Sequence, residues 1–564
     1  MQVSSPDRYR NIPKVNQHNN SRKQFAKAGS FKGGIVDGAF NVLDKCFSAL
    51  DKNAMIQVSF VDTVSTNIPR TLVDLKTGLA AALETCRREF SGLFVNCLMP
   101  SFVVMGIAGL LPKGALKGTG AATSWANGDS VSKLKETFIQ AQNSGAKDTT
   151  REYVRGALTS LSGLDGKKWV DFASHAENPI FQEAVDNVTQ AISSTGKTKR
   201  DLLKSAREKI TGLTKTESVL RFKDKPQANL EETLRDITDL GSKFNKVKER
   251  ALSQISQTPD GEMTKEAAEK IRDSINNYSG ALKKFVNKKS LIGLALVIAI
   301  AVSVQKINRA ITRKQFKAEG APIYKDFGKK DTTEKMDDKQ KRKFAIEKGV
   351  AAAGMYGLAA LSMMKKPSLG MFQFSGFFPT MDQCRWIASS TFASRILAAE
   401  DRNELRESTI RDIASFSGLY FLGDYVKKGV ASGIEAISKA KGKPVELLNR
   451  QNEVAKPVIE KGAGFAEKAV KTVGYRAKQF GNWVANTSLK TSAEVATKEA
   501  RNLRNICRVA DIAFSIVMLG VLLPKYNRKV TEKKVAAAKL REENSEKFLL
   551  KKNNFNSFVA EMRK

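Results

Sequence analysis

With 564 residues and 41% apolar side chains, the chain is long enough for several domains with real cores, and its mean hydropathy of −0.32 is too polar for a chain that is mostly membrane-embedded. Its 94 Lys and Arg against 58 Asp and Glu leave a formal charge of +36, an excess that calls for an anionic lipid surface or a nucleic acid as partner. Five scattered cysteines (Cys46, Cys86, Cys97, Cys384 and Cys507) with no CxxC pair read as buried thiols in a reducing compartment, which excludes a disulfide framework and a zinc site.

Residues 1–30 are polar and basic without an apolar secretory core, and are expected to form a disordered basic arm. A helical region, 31–90, follows. It contains "VDTVSTNIPRTLVDL" (61–75) and ends in "CRREF" (86–90), which runs into an uncharged stretch. These segments resemble uncharacterised membrane-associated proteins of bacteria related to cyanobacteria. The resemblance covers about fifty residues and implies a bacterial membrane-associated protein, with no activity or site attached.

The first uncharged stretch, 91–112, is long enough to cross about 30 Å of hydrocarbon. Pro100 is expected to kink it, which membrane helices tolerate when a neighbour satisfies the freed carbonyl. A polar helical domain, 113–288, comes next. Within it Leu230, Leu234, Ile237, Leu240, Phe244, Val247, Ala251 and Ile255 recur at helical spacing. After "TPDGEMT" the stripe resumes at Ala268, Ile271, Ile275, Tyr278, Leu282 and Phe285, with Thr264 as N-cap. Two stripes joined by a tight turn predict an antiparallel hairpin over 230–285, running directly into the next apolar segment as a stalk.

That segment, 289–307, carries sixteen uncharged residues at 290–305. The nine Leu, Ile and Val residues between Leu291 and Val304 favour insertion by roughly 3–5 kcal/mol. A basic linker (308–348), an apolar and aromatic cluster (349–426), a polar helical region (427–508), a last apolar segment (509–524) and a basic helical tail (525–564) complete the chain. Within the cluster, 413–423 is too short to span and is expected to be re-entrant. No strand alternation stands out, so the expected fold is all-α, with several hydrophobic membrane helices and helical-hairpin polar regions between them. Every apolar segment is basic on both sides, so the positive-inside rule does not orient the chain.

One motif occurs twice. "VSVQKINRAITRK" (302–314) aligns with "VLLPKYNRKVTEK" (521–533), sharing Lys306/Lys525, Asn308/Asn527, Arg309/Arg528, Thr312/Thr531 and Lys314/Lys533. Lying just past an apolar helix, Lys306, Asn308, Arg309, Lys525, Asn527 and Arg528 are expected to bind lipid headgroups while complementing the helix end. A repeated helix-exit cap is the competing reading.

Catalytic chemistry is not legible. "AISSTGKT" (191–198) matches a loose phosphate-loop pattern, but an amphipathic helical run precedes it where a buried strand is required, so a helix-ending turn at Thr195–Gly196 is expected. The turn around Gly261 lacks the acid that a calcium loop needs at its last position. His18 and His175 have no partners at ligand spacing, and His175 reads as a capping or interface residue. Asp511 reads as an interfacial helix start, with an ion-pathway acid as the sharper alternative. No catalytic, cofactor-binding or metal-ligating residue is expected, and no cofactor. The expected function is a non-enzymatic integral or membrane-associated scaffold at an anionic membrane surface, with anionic lipid and protein partners. The expected location is a bacterial inner membrane, crossed several times, with the polar regions mostly cytoplasmic. Alternatives are a transporter or channel component, and a peripheral basic nucleic-acid-binding protein; the basic runs lack the interleaved aromatics of the latter.

Overall fold

The structure is a computed structural model that describes residues 31–562 apart from 52–53, 111–115, 118, 122–123, 166–167, 215–219, 223–224, 227–229, 255–264, 319, 322–335, 364–371, 375–377, 451–464, 493 and 496. The basic arm and the 255–264 turn with its Thr264 cap lie outside the described residues. The fold is all-α.

Helices α1 (Phe31–Asp51), α2 (Ala54–Asp62) and α3 (Ile68–Asp74) lead to α4 (Leu79–Cys97) and α5 (Met99–Leu110). A π-helical turn, Thr63–Asn67, joins α2 to α3 without a break. Helices α4 and α5 meet at a bend of 43° beside Pro100. Proline has no N–H to offer the carbonyl four residues back. Here that carbonyl, on Asn96, accepts a hydrogen bond from Cys384 Sγ at 3.3 Å, so a neighbouring helix satisfies it.

The polar region folds as α6 (Gly128–Asn143), α7 (Thr149–Thr159), α8 (Pro179–Ser193), α9 (Gly196–Thr214), α10 (Leu230–Leu252) and the first turns of α11 (Lys265–Phe316). Side chains of Asn127, Asp148 and Asn178 cap α6, α7 and α8. The core is aromatic: Phe138 lies 5.4 Å from Tyr153 and 5.2 Å from Phe244, which meets Tyr278 at 6.1 Å. The buried Tyr153 hydroxyl donates to the Ile237 carbonyl. Helices α10 and α11 form the predicted hairpin. Phe244 faces Tyr278, and Lys270 Nζ reaches the Gln254 carbonyl, so pairing descends one helix as it climbs the other. Helix α11 continues without interruption for 52 residues, about 78 Å, from the hairpin through the apolar segment.

Helices α12 (Asp338–Met363), α13 (Met381–Leu397), α14 (Arg402–Ser417), α15 (Gly423–Ala440), α16 (Phe465–Asn486), α17 (Lys498–Ser515) and α18 (Leu523–Met562) complete the chain. Thr380 and Gln383 form a reciprocal capping box on α13, and Asp401 caps α14. π-helical turns Gly418–Leu422 and Ile516–Leu522 make α14–α15 and α17–α18 continuous.

Several boundaries differ from the sequence expectation. Helix reaches into both ends of the predicted 308–348 linker. Segment 413–423 is the junction of two helices rather than a re-entrant loop. Among the described residues six short strands also occur: β1 (Leu161–Asp165), β2 (Lys168–Asp171), β3 (Leu220–Phe222) and β4 (Lys225–Pro226) form an antiparallel sheet in the order β2-β1-β3-β4, and β5 (Leu448–Arg450) pairs with β6 (Thr487–Leu489). Strands of two to five residues are too short for alternation to register. Among the described residues three continuous helices are long and apolar enough to cross a membrane: α11, α12 and α17–α18. The bent α4–α5 pair would make a fourth.

Candidate functional site

Charged residues from α3, α4, α13, α14, α11 and α18 meet inside the protein. The centre is Glu89, which accepts from Arg395 Nη2 at 2.8 Å and Arg88 Nε at 3.2 Å, with Arg70 Nη1 at 3.7 Å. Arg395 turns its other terminal nitrogen to Asp412 at 3.3 Å, and Arg411 Nε donates to the same carboxylate at 3.1 Å. Arg70 Nη2 reaches Ser415 Oγ at 2.7 Å. All these side chains are buried. Burying an ion costs several kcal/mol unless partners surround it, and here each carboxylate is shared between arginines.

The contacts come in matched pairs. Arg88 donates to Glu89 and to Thr85 Oγ1 (3.5 Å); Arg411 donates to Asp412 and to Ser408 Oγ (3.4 Å). Arg70 faces Glu89 as Arg395 faces Asp412. The sequence carries the same duplication. Ser65-Thr66, Arg70 and Leu72 recur 325 residues later as Ser390-Thr391, Arg395 and Leu397. Glu84, Thr85, Arg88 and Glu89 recur 323 residues later as Glu407, Ser408, Arg411 and Asp412. Helices α4 and α14 begin at corresponding positions, Leu79 and Arg402. The two halves run in the same direction. Ser59 contacts Cys97 Sγ at 2.8 Å and Cys384 contacts Asn96, and from that shared level both chains climb to their arginines, Arg70 and Arg395.

The twice-occurring motif past the apolar helices belongs to this arrangement. Arg309 pairs with Glu84 at 3.5 Å, with Glu400 at 3.0 Å and with Glu404. Arg528 pairs with Asp74 at 2.7 Å, and Asn527 Nδ2 donates to the Glu407 carbonyl. Each arginine thus meets an acid from the opposite half, Glu400 for one and Asp74 for the other. Asn308 donates to Ser91 Oγ at 2.8 Å. Thr312 and Thr531, equivalent in the motif, accept from Arg87 and Arg406. Of the six expected headgroup residues, Asn308, Arg309 and Asn527 are buried and Arg528 is half-buried, all four committed to internal partners; Lys306 and Lys525 are exposed. The inward four are turned to internal partners, in their own half (Ser91, Glu84 and Glu407) and in the other (Glu400, Glu404 and Asp74), which leaves Lys306 and Lys525 facing outward.

Burial pulls Arg70 down to about 10, against the pull of Glu89. It pushes Glu407 up to about 7 despite Arg411, and Asp62 up to about 6, reinforced by Glu89. Burial alone would lower Arg411, but Asp412, Glu407 and Glu89 outweigh it and raise the group. The four central arginines, Arg70, Arg88, Arg395 and Arg411, share two carboxylates, Glu89 and Asp412.

Two cavities of about 20 Å³ each flank Arg70. One is lined by Asp62, Glu89 and Arg395, and borders through Val58, Leu419 and Tyr420 on an open cleft of about 560 Å³. Asp511, with Asp424 and Lys427, lines that cleft. It is buried well inside α17 and is not at an interfacial helix start, which corrects that expectation. His175 ends a short turn, Phe172–His175, against the Phe172 ring. Gly196, at φ 62°, turns the chain from α8 into α9, so helix and not strand precedes "GKT". Among the described residues no cluster of His, Cys, Asp and Glu could hold a metal ion.

No protein-family model matches this chain, and neither a curated protein nor a solved structure is detectably similar to it. The buried network escapes a reading of the sequence because "CRREF" and "RESTIRD" have the composition of solvated helix faces. The legible signal is their spacing, repeated in both halves.

Proposed function

We propose that this chain is a non-enzymatic, multi-pass membrane protein: a tandem helical bundle held together by buried charges, displaying the inserted α6–α10 domain as an interaction module at an anionic membrane surface. The observation that carries the reading is an inversion of polarity. On α11 the outward residues are Leu291, Ile292, Leu296 and Ile300, and the inward ones include Ser290, Gly293, Gln305, Asn308 and Arg309. Helices α4–α5 expose Phe90, Phe94, Phe102 and Met105 while burying Glu84, Arg88, Glu89 and Ser101. Helices α17–α18 expose Val517, Met518 and Leu522 and bury Asp511, Ser515 and Asn527. A water-soluble bundle distributes these groups the other way round; lipid favours this one.

Exposed Lys284, Lys288, Lys306, Lys314, Lys525 and Lys529 border the apolar faces and supply the anionic-lipid contact, each contributing about 1 kcal/mol near the surface. Buried Lys289, by contrast, lies over the Trp125 ring at 5.0 Å and donates to the Ser124 carbonyl. Part of the basic excess flanking the spans is thus internal, which relaxes the conflict with the positive-inside rule. The resemblance carried by 61–75 and 86–90 supports a bacterial inner membrane as the location. Alkaline carbonate extraction tests the reading: the protein is expected to stay in the membrane pellet, and release as a monodisperse detergent-free species refutes it.

A transporter is the second reading, favoured by the polar seam that runs from the open cleft past Asp62 to Arg70 between two parallel halves. Solute flux in proteoliposomes that Asp62→Asn abolishes separates it from the scaffold.

A further inference from the structure

Around the motif arginines the two halves differ by one carboxylate. Arg309 is met by three carboxylates, Glu84, Glu400 and Glu404. Its counterpart Arg528 has two beside it, Glu407, the equivalent of Glu84, and Asp74 of the opposite half. Glu404 is the third residue of α14, and the third residue of α4 is the buried Ala81. The second of the small cavities lies in this half, lined by Arg70, Arg88, Arg411 and Arg528 against Asp74 and Glu407, with Pro524 and Asn527 closing it.

We propose that this cavity binds a small monovalent anion of the chloride class, which takes the place that a third carboxylate holds in the other half. Four guanidinium groups face two carboxylates, one of them already engaged with Arg528 and the other 3.9 Å from Arg411. Arg70 is only 3% exposed and borders the space; its Nε makes no hydrogen bond, and its Nη1 has only the Glu89 carboxylate, at 3.7 Å. Unsatisfied donors on a buried cation are costly, and an anion satisfies them and the charge together. A neutral water satisfies the donors alone. The volume, about 20 Å³, is close to that needed by one water-sized particle, which admits a halide and excludes a tetrahedral oxyanion or an organic carboxylate. The upward shift of Glu407 to about 7 adds to the positive balance near neutral pH.

The test is the thermal unfolding midpoint of the purified full-length chain at fixed ionic strength, with gluconate replaced stepwise by chloride, bromide or sulfate. A ligand that binds only the folded state raises the midpoint with the logarithm of its concentration once that exceeds the dissociation constant. The expected result is a rise of several degrees, logarithmic in halide concentration, with chloride and bromide and none with sulfate. Arg70→Lys should lose the rise. Ala81→Glu, which supplies the missing carboxylate, should also lose it while unfolding in gluconate at or above the wild-type midpoint in chloride. A wild-type midpoint that stays put when chloride replaces gluconate, or that moves equally with sulfate, overturns the proposal, as does an undiminished chloride response in Ala81→Glu. Those two measurements decide the matter even if Arg70→Lys fails to fold.

Discussion

Replacing Glu89 by Gln tests the buried network at the point where the two halves meet. The carboxylate is shared by Arg88 and Arg70 of its own half and by Arg395 of the other. The amide keeps the shape and one acceptor oxygen but removes the charge, leaving three buried guanidinium groups with only Asp412 at hand through Arg395. Breaking a buried pair from one side costs about 3–5 kcal/mol because the remaining charge is stranded. With three cations affected, Glu89→Gln belongs at the top of that range, about 5 kcal/mol. Arg395→Met removes a cation whose two partners keep others: Glu89 retains Arg88 and Arg70, and Asp412 retains Arg411 at 3.1 Å. Its cost belongs at the bottom, about 3 kcal/mol. Combining the two should cost less than their sum, since stranded cation and missing partner are removed together. The assay is equilibrium unfolding of the detergent-solubilised chain followed by helical circular dichroism, with all four species of the cycle. A Glu89→Gln variant within 1 kcal/mol of wild type, or strict additivity of the pair, would show that the shared carboxylate does not hold the halves together.

In the inserted domain Asp236 is buried beside Ser130, and burial pushes it up to about 7 against the opposing pull of Arg235. The folded state then holds a proton that the unfolded state has released, so stability falls as pH rises from about 4 to 7 and levels off above. Asp236→Asn should gain about 2–4 kcal/mol at pH 8 and nothing at pH 4, read from unfolding midpoints at both; an equal effect at the two pH values contradicts it. Gly520 lies in the π-helical turn Ile516–Leu522 against the Ser65 backbone, and a Cβ there would also come within 2.9 Å of Pro69. Gly520→Ala should destabilise by about 1–3 kcal/mol, whereas Gly429→Ala, with open space around it, should not. Ile237→Asp in the hairpin seam puts a charge where the wild-type side chain is fully buried, and should cost several kcal/mol in the same assay; a near-neutral effect would mean that the hairpin seam is not a packed core.

Helical periodicity carries far in this chain because a stripe at three- and four-residue spacing has one efficient way to bury itself. Leu230 to Ala251 and Ala268 to Phe285 therefore specify the hairpin directly, and the absence of proline between Lys265 and Gln305 lets α11 run on. Pro100 specifies the bend. The charged lock is hidden for a different reason. Hydropathy counts Arg88 and Glu89 as solvent-facing, and their burial depends on partners more than three hundred residues away. The motif at 302–314 and 521–533 is visible because its two copies align without gaps, whereas the partner motifs change offset from 325 to 323 residues across the turn before α4 and α14. The inserted domain lengthens the first half further, so no single register aligns both motifs. Reading Arg309 and Arg528 as headgroup ligands follows from their position one turn past an apolar stretch. The inward face of that turn is decided by acids that local sequence does not show.

Apolar residues facing lipid while charges face inward is the arrangement on which the membrane reading rests, and single cysteines on opposite faces of one helix test it most directly. In a chain whose half-buried Cys46 and Cys86 are changed to Ser, Leu296→Cys and Val297→Cys place a thiol on the outward and the inward face of α11. In native membranes a lipid-partitioned thiol reagent should label Leu296→Cys rapidly, a water-soluble maleimide should not, and Val297→Cys should resist both. Rapid labelling of Leu296→Cys by the water-soluble maleimide would contradict a lipid-facing α11.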